Sequence, residues 1–385
     1  MSTDGQQVAR DGKLGTVLIL QKRYHPNSIG LVRGLQAYGY KVAMIVQSVG
    51  SVEDWSDCEP LVVPYHRWTR LLRGGKRLPK YGTPRLLPIL RAIRELRPDI
   101  VIVKKGRAAQ VAAAAIARVY GARIVILRDS PPSEGSARPT RRFMERRVLQ
   151  PNLRISTSPG AVASNPAPAS TMPGGYVFLP YPVEAKEMKP LSLPKSRTQV
   201  LSVGAFSNAR KRLDWVRKAV AAAELDDQVD CTFIGTGSEN FDQITEIRET
   251  EARHDLRRST VRPNLPFAEL QALYPNYDLL VLTTNGEAFG AVIVEAMAAG
   301  LPVLISDTCG ARGCMRDGID GLIFETHDLG DMTEKLAMLV NDEEMREQMG
   351  RNAAQHAQET LAPEGWARAF TELLNENDRA AGGAE

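Results

Sequence analysis

Short apolar runs, each too brief for a helix, recur along this chain, and a helix-length segment with a glycine stop follows each one. A pattern of that kind leaves few folds open. Thr16 to Leu20 (TVLIL) is the first such run, followed by a polar loop from Gln21 to Ser28, a helix-like stretch through Ala37, a stop at Gly39 and a second run from Lys41 to Val46. The rhythm returns with Asp99 to Val103 (DIVIV), an alanine-rich helix over Ala108 to Tyr120, a stop at Gly121, and Arg123 to Leu127 (RIVIL). Strands that are apolar on both faces and alternate with helices belong in a parallel sheet covered on both sides.

Between Thr157 and Lys195 proline and glycine crowd together (NPAPAS, MPGG, LPYPVE), which breaks the periodicity and marks an interdomain link near Pro182 to Pro194. Beyond the link the rhythm restarts. Strand-like runs at Gln199 to Val203, Asp230 to Ile234, Asp278 to Leu282 and Pro302 to Ile305 alternate with helices at Asp214 to Glu224, Gln243 to Ala252 and Gly290 to Ala299. Three more helices close the chain, at Met332 to Leu339, Glu343 to Ala357 and Pro363 to Asn375, with Ala380 to Glu385 expected to fray. A chain of 385 residues exceeds what one core usually supports. The expected architecture is α/β, with two facing, doubly wound Rossmann-like domains. Residues 1–15 form a disordered start, 16–185 the first domain and 186–360 the second; 361–385 form a helix packing back toward the first domain, and a tail.

Charge is unevenly distributed. Of the 49 Lys+Arg and 45 Asp+Glu, 30 and 13 lie at or before Pro190 and 19 and 32 after it, so the first part is near +17 and the rest near −13. That asymmetry points the first domain toward an anionic partner, or the two domains toward each other. The basic stretch Arg67 to Arg97 mixes cations with Trp68, Leu71, Leu72, Leu86, Leu87 and Ile89, as an element lying on an anionic membrane surface would. The polar start lacks the apolar core of a signal peptide, and no apolar run is long enough to span a bilayer, so the expected location is cytoplasmic, with peripheral attachment to the inner membrane face. Cys58, Cys231, Cys309 and Cys314 are scattered, without metal-ligand or disulfide spacing. Aromatic content of 6% and the lack of any recognised module argue against nucleic acid as a partner.

The segment Asn285 to Ile305 (NGEAFGAVIVEAMAAGLPVLI) carries most of the chemistry. Its opening loop sits at the carboxyl end of a parallel strand, where open α/β sheets bind ligands. Phe289, Gly290 and Ala291 begin the following helix, so their backbone N–H groups can meet a phosphate or sugar oxygen, and the helix dipole favours negative charge there. Glu295 falls among Val292, Ile293, Val294, Ala296 and Met297, where an unpaired carboxylate is costly to bury. It needs donors, and a ribose diol supplies two hydroxyls; Glu287 on the loop could reach hydroxyls of a transferred sugar. The alternatives are a glutamate that snorkels to solvent or pairs with a lysine. After the strand at Gln199 to Val203, Arg210, Lys211 and Arg212 lie on a loop entering a helix, suited to a leaving diphosphate or, for the two arginines, simply a solvated basic face. The chain has no Asp-x-Asp tripeptide for a divalent ion.

Glu287 to Val303 resembles the E-x-F-G-x-x-x-x-E-A-x-x-x-G-x-P-V signature of glycosyltransferase family 4. The resemblance implies a GT-B fold, retention of anomeric configuration and transfer without a metal or other cofactor, with a nucleotide-diphosphate sugar as co-substrate. It also implies that Glu287 contacts the donor sugar, Glu295 the ribose, and the amides of Phe289, Gly290 and Ala291 the sugar and phosphates. Lys211 matches the family's phosphate-binding lysine, whereas the usual arginine after the strand glycine Gly204 is Ala205 here, which leaves Arg210 to take that contact. Gly235-Thr236-Gly237 is similar to the family's G-x-G turn near the nucleotide, and Val261-Arg262-Pro263 to the segment that meets the base.

In the first domain the likeness covers Gly30, the helix after it, and Gly39 to Val42, which places an acceptor loop at Tyr24 to Gly30, including Ser28. Where the family commonly carries a histidine, this chain reads Arg128-Asp129-Ser130. Asp129 either takes over contact with the transferring sugar or caps a turn. Two further departures stand at Tyr181-Pro182, in place of Asn-Gly, and at Cys309 to Gly313, which lacks the glutamate of the family's G-G-x-x-E box. The expected activity is that of a metal-independent, retaining hexosyltransferase acting on a lipid-linked, glycan or small-molecule acceptor. The rival is a relative that binds a nucleotide sugar without transferring it.

Overall fold

A computed structural model of the chain describes residues 14–24, 27–49, 55–63, 85–104, 108–129, 144–159, 169–172, 174–184, 196–237, 242–253 and 258–382. The expected disordered start at 1–15 lies almost wholly outside the described residues, as does the basic stretch from Arg67 to residue 84. The described residues form two compact units, one holding those up to Pro182 together with those from Pro363 onward, the other holding Val183 to Ala362.

The first unit runs β1 (Thr16–Leu20), α1 (Asn27–Ala37), β2 (Lys41–Val46), β3 (Leu61–Val62), α2 (Leu86–Leu96), β4 (Ile100–Lys104), α3 (Ala108–Val119), β5 (Arg123–Arg128), β6 (Leu153–Ser156), β7 (Thr171–Met172) and β8 (Tyr176–Phe178). Its sheet has the order β3-β2-β1-β4-β5-β6-β8-β7, and every pairing is parallel except β7 with β8. Val17, Leu18 and Ile19 of the central β1 are completely buried, as a strand covered on both faces requires. Helix α1 starts at Asn27, so Ser28 and Gly30 lie in its first turn and not on a loop. Gly30 is there for space: a Cβ at that position would run into the Pro182 carbonyl oxygen.

The second unit runs β9 (Thr198–Val203), α4 (Asp214–Ala222), β10 (Val229–Gly235), α5 (Asp242–Arg253), β11 (Ser259–Pro263), α6 (Phe267–Leu273), β12 (Leu279–Leu282), α7 (Ala291–Ala298), β13 (Val303–Ser306), β14 (Gly321–Phe324), α8 (Leu329–Asn341) and α9 (Glu343–Thr360). All pairings are parallel, in the order β11-β10-β9-β12-β13-β14. Connections therefore leave β9 in one direction toward β10 and arrive at β12 from the other, which makes the carboxyl ends of β9 and β12 the switch point of the sheet. One face is closed by Val216, Ala219 and Val220 of α4 with Met332, Leu336 and Leu339 of α8, all completely buried. Each of the valine, leucine and methionine side chains contributes roughly 1.5–3 kcal/mol. Helices α8 and α9 start at side-chain caps: Asp328 accepts from the Asp331 amide at 2.9 Å, and Asp342 from the Met345 amide at 2.8 Å.

Helix α10 (Pro363–Gly382) belongs to the first unit. It runs through Gly382, past the point at Ala380 where fraying was expected. Trp366, Phe370 and Leu374 bury its inner face, Thr371 meets the Tyr40 hydroxyl at 3.1 Å, and Asp378 accepts from Asn152 at 2.9 Å.

Candidate functional site

The loop leaving β9 is folded by its own polar groups. The Asn208 side chain accepts from the Arg210 amide at 3.3 Å and its carbonyl from the Lys211 amide at 2.8 Å, which winds Ala209–Lys211 into a single tight turn. Arg212 closes that turn in the left-handed region, at φ 45°. Thr283, just past β12, donates its hydroxyl to the carbonyls of Lys211 (2.9 Å) and Arg212 (2.6 Å), and the Asn285 amide donates to the Arg210 carbonyl at 2.9 Å. The two loops at the switch point are thereby tied together through backbone carbonyls.

That tie brings charged side chains from distant parts of the sequence into contact. Lys211 Nζ donates to Glu287 Oε2 at 2.6 Å; Arg210 Nη2 stands 3.6 Å from the same oxygen, and Arg210 also donates to the Gly286 carbonyl. Glu287 Oε1 accepts from the Ala288 amide at 3.1 Å. Its backbone bridges to the loop after β13, through the Glu287 amide to the Thr308 carbonyl (3.2 Å) and the Gly310 amide to the Glu287 carbonyl (2.9 Å). Burial pushes the Glu287 carboxyl up, but the Lys211 ammonium, its hydrogen bond, Arg210 and the Ala288 amide outweigh burial and hold it below the ordinary glutamate value.

Helix α7 opens beside this ion pair. It begins at Ala291, one residue later than expected, because Gly290 is its cap in the left-handed region at φ 92°. A side chain at Gly290 would be strained there and would also press on Cys309 Sγ, 3.0 Å from the position of a Cβ. Phe289 is buried, and its carbonyl accepts from the Ala311 amide (2.7 Å) and the Cys309 thiol (3.3 Å). Burial pushes the Cys309 thiol up to about 12, so it stays protonated as a donor.

Glu295 lies on the second turn of α7 and is 7% exposed. Its donors come from the protein: Gln271 Nε2 at 2.7 Å and the Tyr274 hydroxyl at 2.8 Å, both on Oε2. This corrects the expectation that burial of the carboxylate demands a ligand, since α6 and the turn after it supply two hydrogen bonds. Neither Gln271 nor Tyr274 is legible as a partner in the sequence, where they lie 24 and 21 residues away.

At the neighbouring strand ends, Gly235 closes β10 so near the Gly204 carbonyl that no Cβ would fit, and a Cβ at Gly204 would lie 3.2 Å from Lys211 Cγ. Asn264, missed in the sequence, clasps Gly237 by both side-chain atoms, accepting from its amide and donating to its carbonyl at 3.0 Å each. Arg262 is half-buried on β11 opposite Ile234.

The remaining candidates belong to the first unit. Asp129 follows β5 and is 8% exposed; its Oδ1 accepts from the Tyr181 hydroxyl at 3.0 Å, and its carbonyl from Thr157 at 3.4 Å. Burial and then the Asp129 charge hold the Tyr181 hydroxyl well above its usual range. The Ser28 hydroxyl donates to Gln21 Oε1 at 3.2 Å. Lys211, Arg210, Glu287 and the start of α7 thus gather at one switch point with Gly204, and Glu295, Gly235, Gly237 and Arg262 lie on the same unit. Among the described residues, no group of three or more His, Cys, Asp or Glu side chains could hold a metal ion, and no helix is long and apolar enough to cross a membrane.

Residues 183–356 match the family model described as glycosyl transferases group 1. Curated relatives include D-inositol 3-phosphate glycosyltransferases. That of Thermobifida fusca is 27% identical over 181 residues, covering 45% of this chain and 41% of the relative. That of an Arthrobacter species is 29% identical over 218 residues, 51% of each chain. The matched stretches thus span about half or less of these relatives' length. Among solved structures, sucrose-phosphate synthase from Thermosynechococcus elongatus superposes with a TM-score of 0.66 at 18% identity, over 95% of this chain and 99% of that one. Anabaena HepE in complex with UDP-glucose superposes with a TM-score of 0.67 at 16% identity, over 94% and 100%. At such identities the likeness shows the fold. With two doubly wound units, the signature of Glu287 to Val303 and the match over residues 183–356, the chain has the GT-B fold and its residues 183–356 match the group 1 glycosyl transferases, to which glycosyltransferase family 4 is related.

Proposed function

We propose that this protein transfers a hexose from a nucleotide-diphosphate sugar to an acceptor hydroxyl with retention of configuration and without a metal or other cofactor. The observation that carries the reading is the contact of Lys211 with Glu287 at the switch point, beside the start of α7. An ammonium, a guanidinium and helix-start amides in one place suit a diphosphate, and a carboxylate among them suits the hydroxyls of the attached sugar. Lys211, Arg210 and the amides of Phe289 to Ala291 neutralise the charge that develops on the leaving diphosphate. The bond from the anomeric carbon to the diphosphate breaks and one to the acceptor oxygen forms on the same face. The acceptor's proton passes to a leaving phosphate oxygen. Gly204, Gly235, Gly237 and Arg262 line the nucleotide; Asp129 contacts the transferring sugar, and Ser28 and Gly30 serve the acceptor side.

The excess of positive charge up to Pro190 favours an anionic acceptor, and the inositol phosphate in the relatives' names is of that kind. A lipid-linked acceptor is supported by α2, whose exposed residues include Leu87 (80% exposed), Arg91 and Arg94; it fits a cytoplasmic protein lying on an anionic membrane face. Flotation with anionic vesicles at low salt tests this, and absence of binding would assign a soluble acceptor.

A thermal-shift screen of nucleoside diphosphates tests the donor site, since a ligand of the folded state raises its apparent stability. Transfer from the sugar nucleotide of the base so identified is expected to survive chelation, and to fall about 10²–10³-fold in Lys211→Ala and Glu287→Ala. Rates near wild type in both variants would overturn the reading. Binding with neither transfer nor donor hydrolysis would favour a non-catalytic sugar-nucleotide binder, for which the Asp129 carboxylate, already accepting from Tyr181, is the supporting observation.

A further inference from the structure

Glu295 Oε2 accepts from two protein donors at once, Gln271 Nε2 at 2.7 Å and the Tyr274 hydroxyl at 2.8 Å. Both donors come from one short stretch: Gln271 is half-buried on α6, and Tyr274, completely buried, begins the tight turn that follows it. A spacing of three residues brings both side chains to one face. A carboxylate offers about four lone-pair sites over two oxygens. Two donors converging on one oxygen remove the group's freedom to rotate about its last bond and set the plane in which any further hydroxyl must approach. The Tyr274 ring is packed on every side, so its hydroxyl has no alternative orientation toward water. Glu295 itself is carried on the second turn of the helix that opens beside Lys211 and Glu287.

We propose that Gln271 and Tyr274 are positioning residues of the nucleotide site, aiming the Glu295 carboxylate at a ribose diol and thereby setting the preference for ribonucleotides over 2′-deoxyribonucleotides. The inference rests on the reading of Glu295 as the residue that meets the ribose. It goes further by assigning the selectivity to two side chains that do not touch the ligand. A hydrogen-bonding site that loses its hydroxyl partner discriminates strongly only when its own polar groups are held in place.

The experiment is calorimetric titration of the full chain with uridine, guanosine and adenosine diphosphates and with their 2′-deoxy counterparts. For the base that binds, the wild type is expected to favour the ribose form by about tenfold or more. In Tyr274→Phe and Gln271→Leu the Kd of the ribose form rises several-fold while that of the deoxy form stays put, so the ratio contracts. A role confined to holding the fold would weaken both forms in parallel, and that result overturns the proposal, as does an unchanged ratio in both variants. Equal binding of the two forms by the wild type would remove Glu295 from the ribose and the inference with it, whereas discrimination that persists in the variants removes the inference alone. Thermal melting of each variant reports folding; should Tyr274→Phe fail to fold, Gln271→Leu, at a half-exposed position, carries the test.

Discussion

Glu287 and Lys211 lie 76 residues apart and share a hydrogen bond of 2.6 Å. The sequence marks each separately, the first by its place before an apolar helix and the second by its place after a strand, but nothing local announces that one holds the other. The same is true of Gln271, Tyr274, Thr283 and Asn264, whose partners are set by how neighbouring strands line up. The ion pair makes a pH prediction. A carboxyl held below its ordinary value stabilises the fold above the unfolded-state value, about 4.3, and that contribution disappears as pH falls through the depressed folded value. Glu287→Gln is therefore expected to cost about 1–3 kcal/mol at pH 7, where it leaves the Lys211 ammonium without its carboxylate. The deficit is expected to hold constant down to about pH 5 and to shrink below about 4.3. Urea denaturation of both proteins across that range measures it, and a deficit that grew in acid would contradict the assignment.

The strands built around a run of apolar residues are the elements best read from sequence: β1 and β2 have the predicted bounds, and β9, β10, β12 and β13 start or end within one residue of them. Period and composition suffice there because interior strands of a covered parallel sheet are rich in buried apolar residues. Short or half-polar elements escape the same reading. β11 (STVRP) and β14 (GLIF) carry too little pattern, and α6 hides behind Pro266. Yet β11 and β14 are the two edges of the second sheet. The element that decides local geometry at the site is the end of β10. Gly235→Ala is expected to push the β9 and β10 ends apart at the Gly204 carbonyl, costing about 1–3 kcal/mol and weakening nucleoside diphosphate binding. Gly286→Ala has open space around it but inherits φ 128°, so it is expected to cost about 1–3 kcal/mol through backbone strain alone. Thermal melts with and without nucleotide separate the two effects.

At the scale of the whole molecule the described residues enter the second unit at Val183 and return to the first at Pro363. Truncation after Ala362 removes Trp366, Phe370 and Leu374 from the first unit and leaves Arg123 and Asn152 without Asp378. It is expected to destabilise the first unit selectively, read as earlier proteolysis within residues up to Pro182 while the second unit persists; equal loss of both would show that the helix supports more than its own unit. The class of fold, the strand-helix rhythm and the family signature follow from the order of residues alone, because apolar periodicity and glycine punctuation are local properties that any segment carries with it. What only the tertiary structure decided is who meets whom at the carboxyl ends of the second sheet. Strand order sets β9 beside β12, and that adjacency places Lys211 on Glu287; the turn after α6, folded back on α7, hands Glu295 two donors from the protein. A buried carboxylate must be satisfied by something, and a linear sequence states the debt without naming the partner.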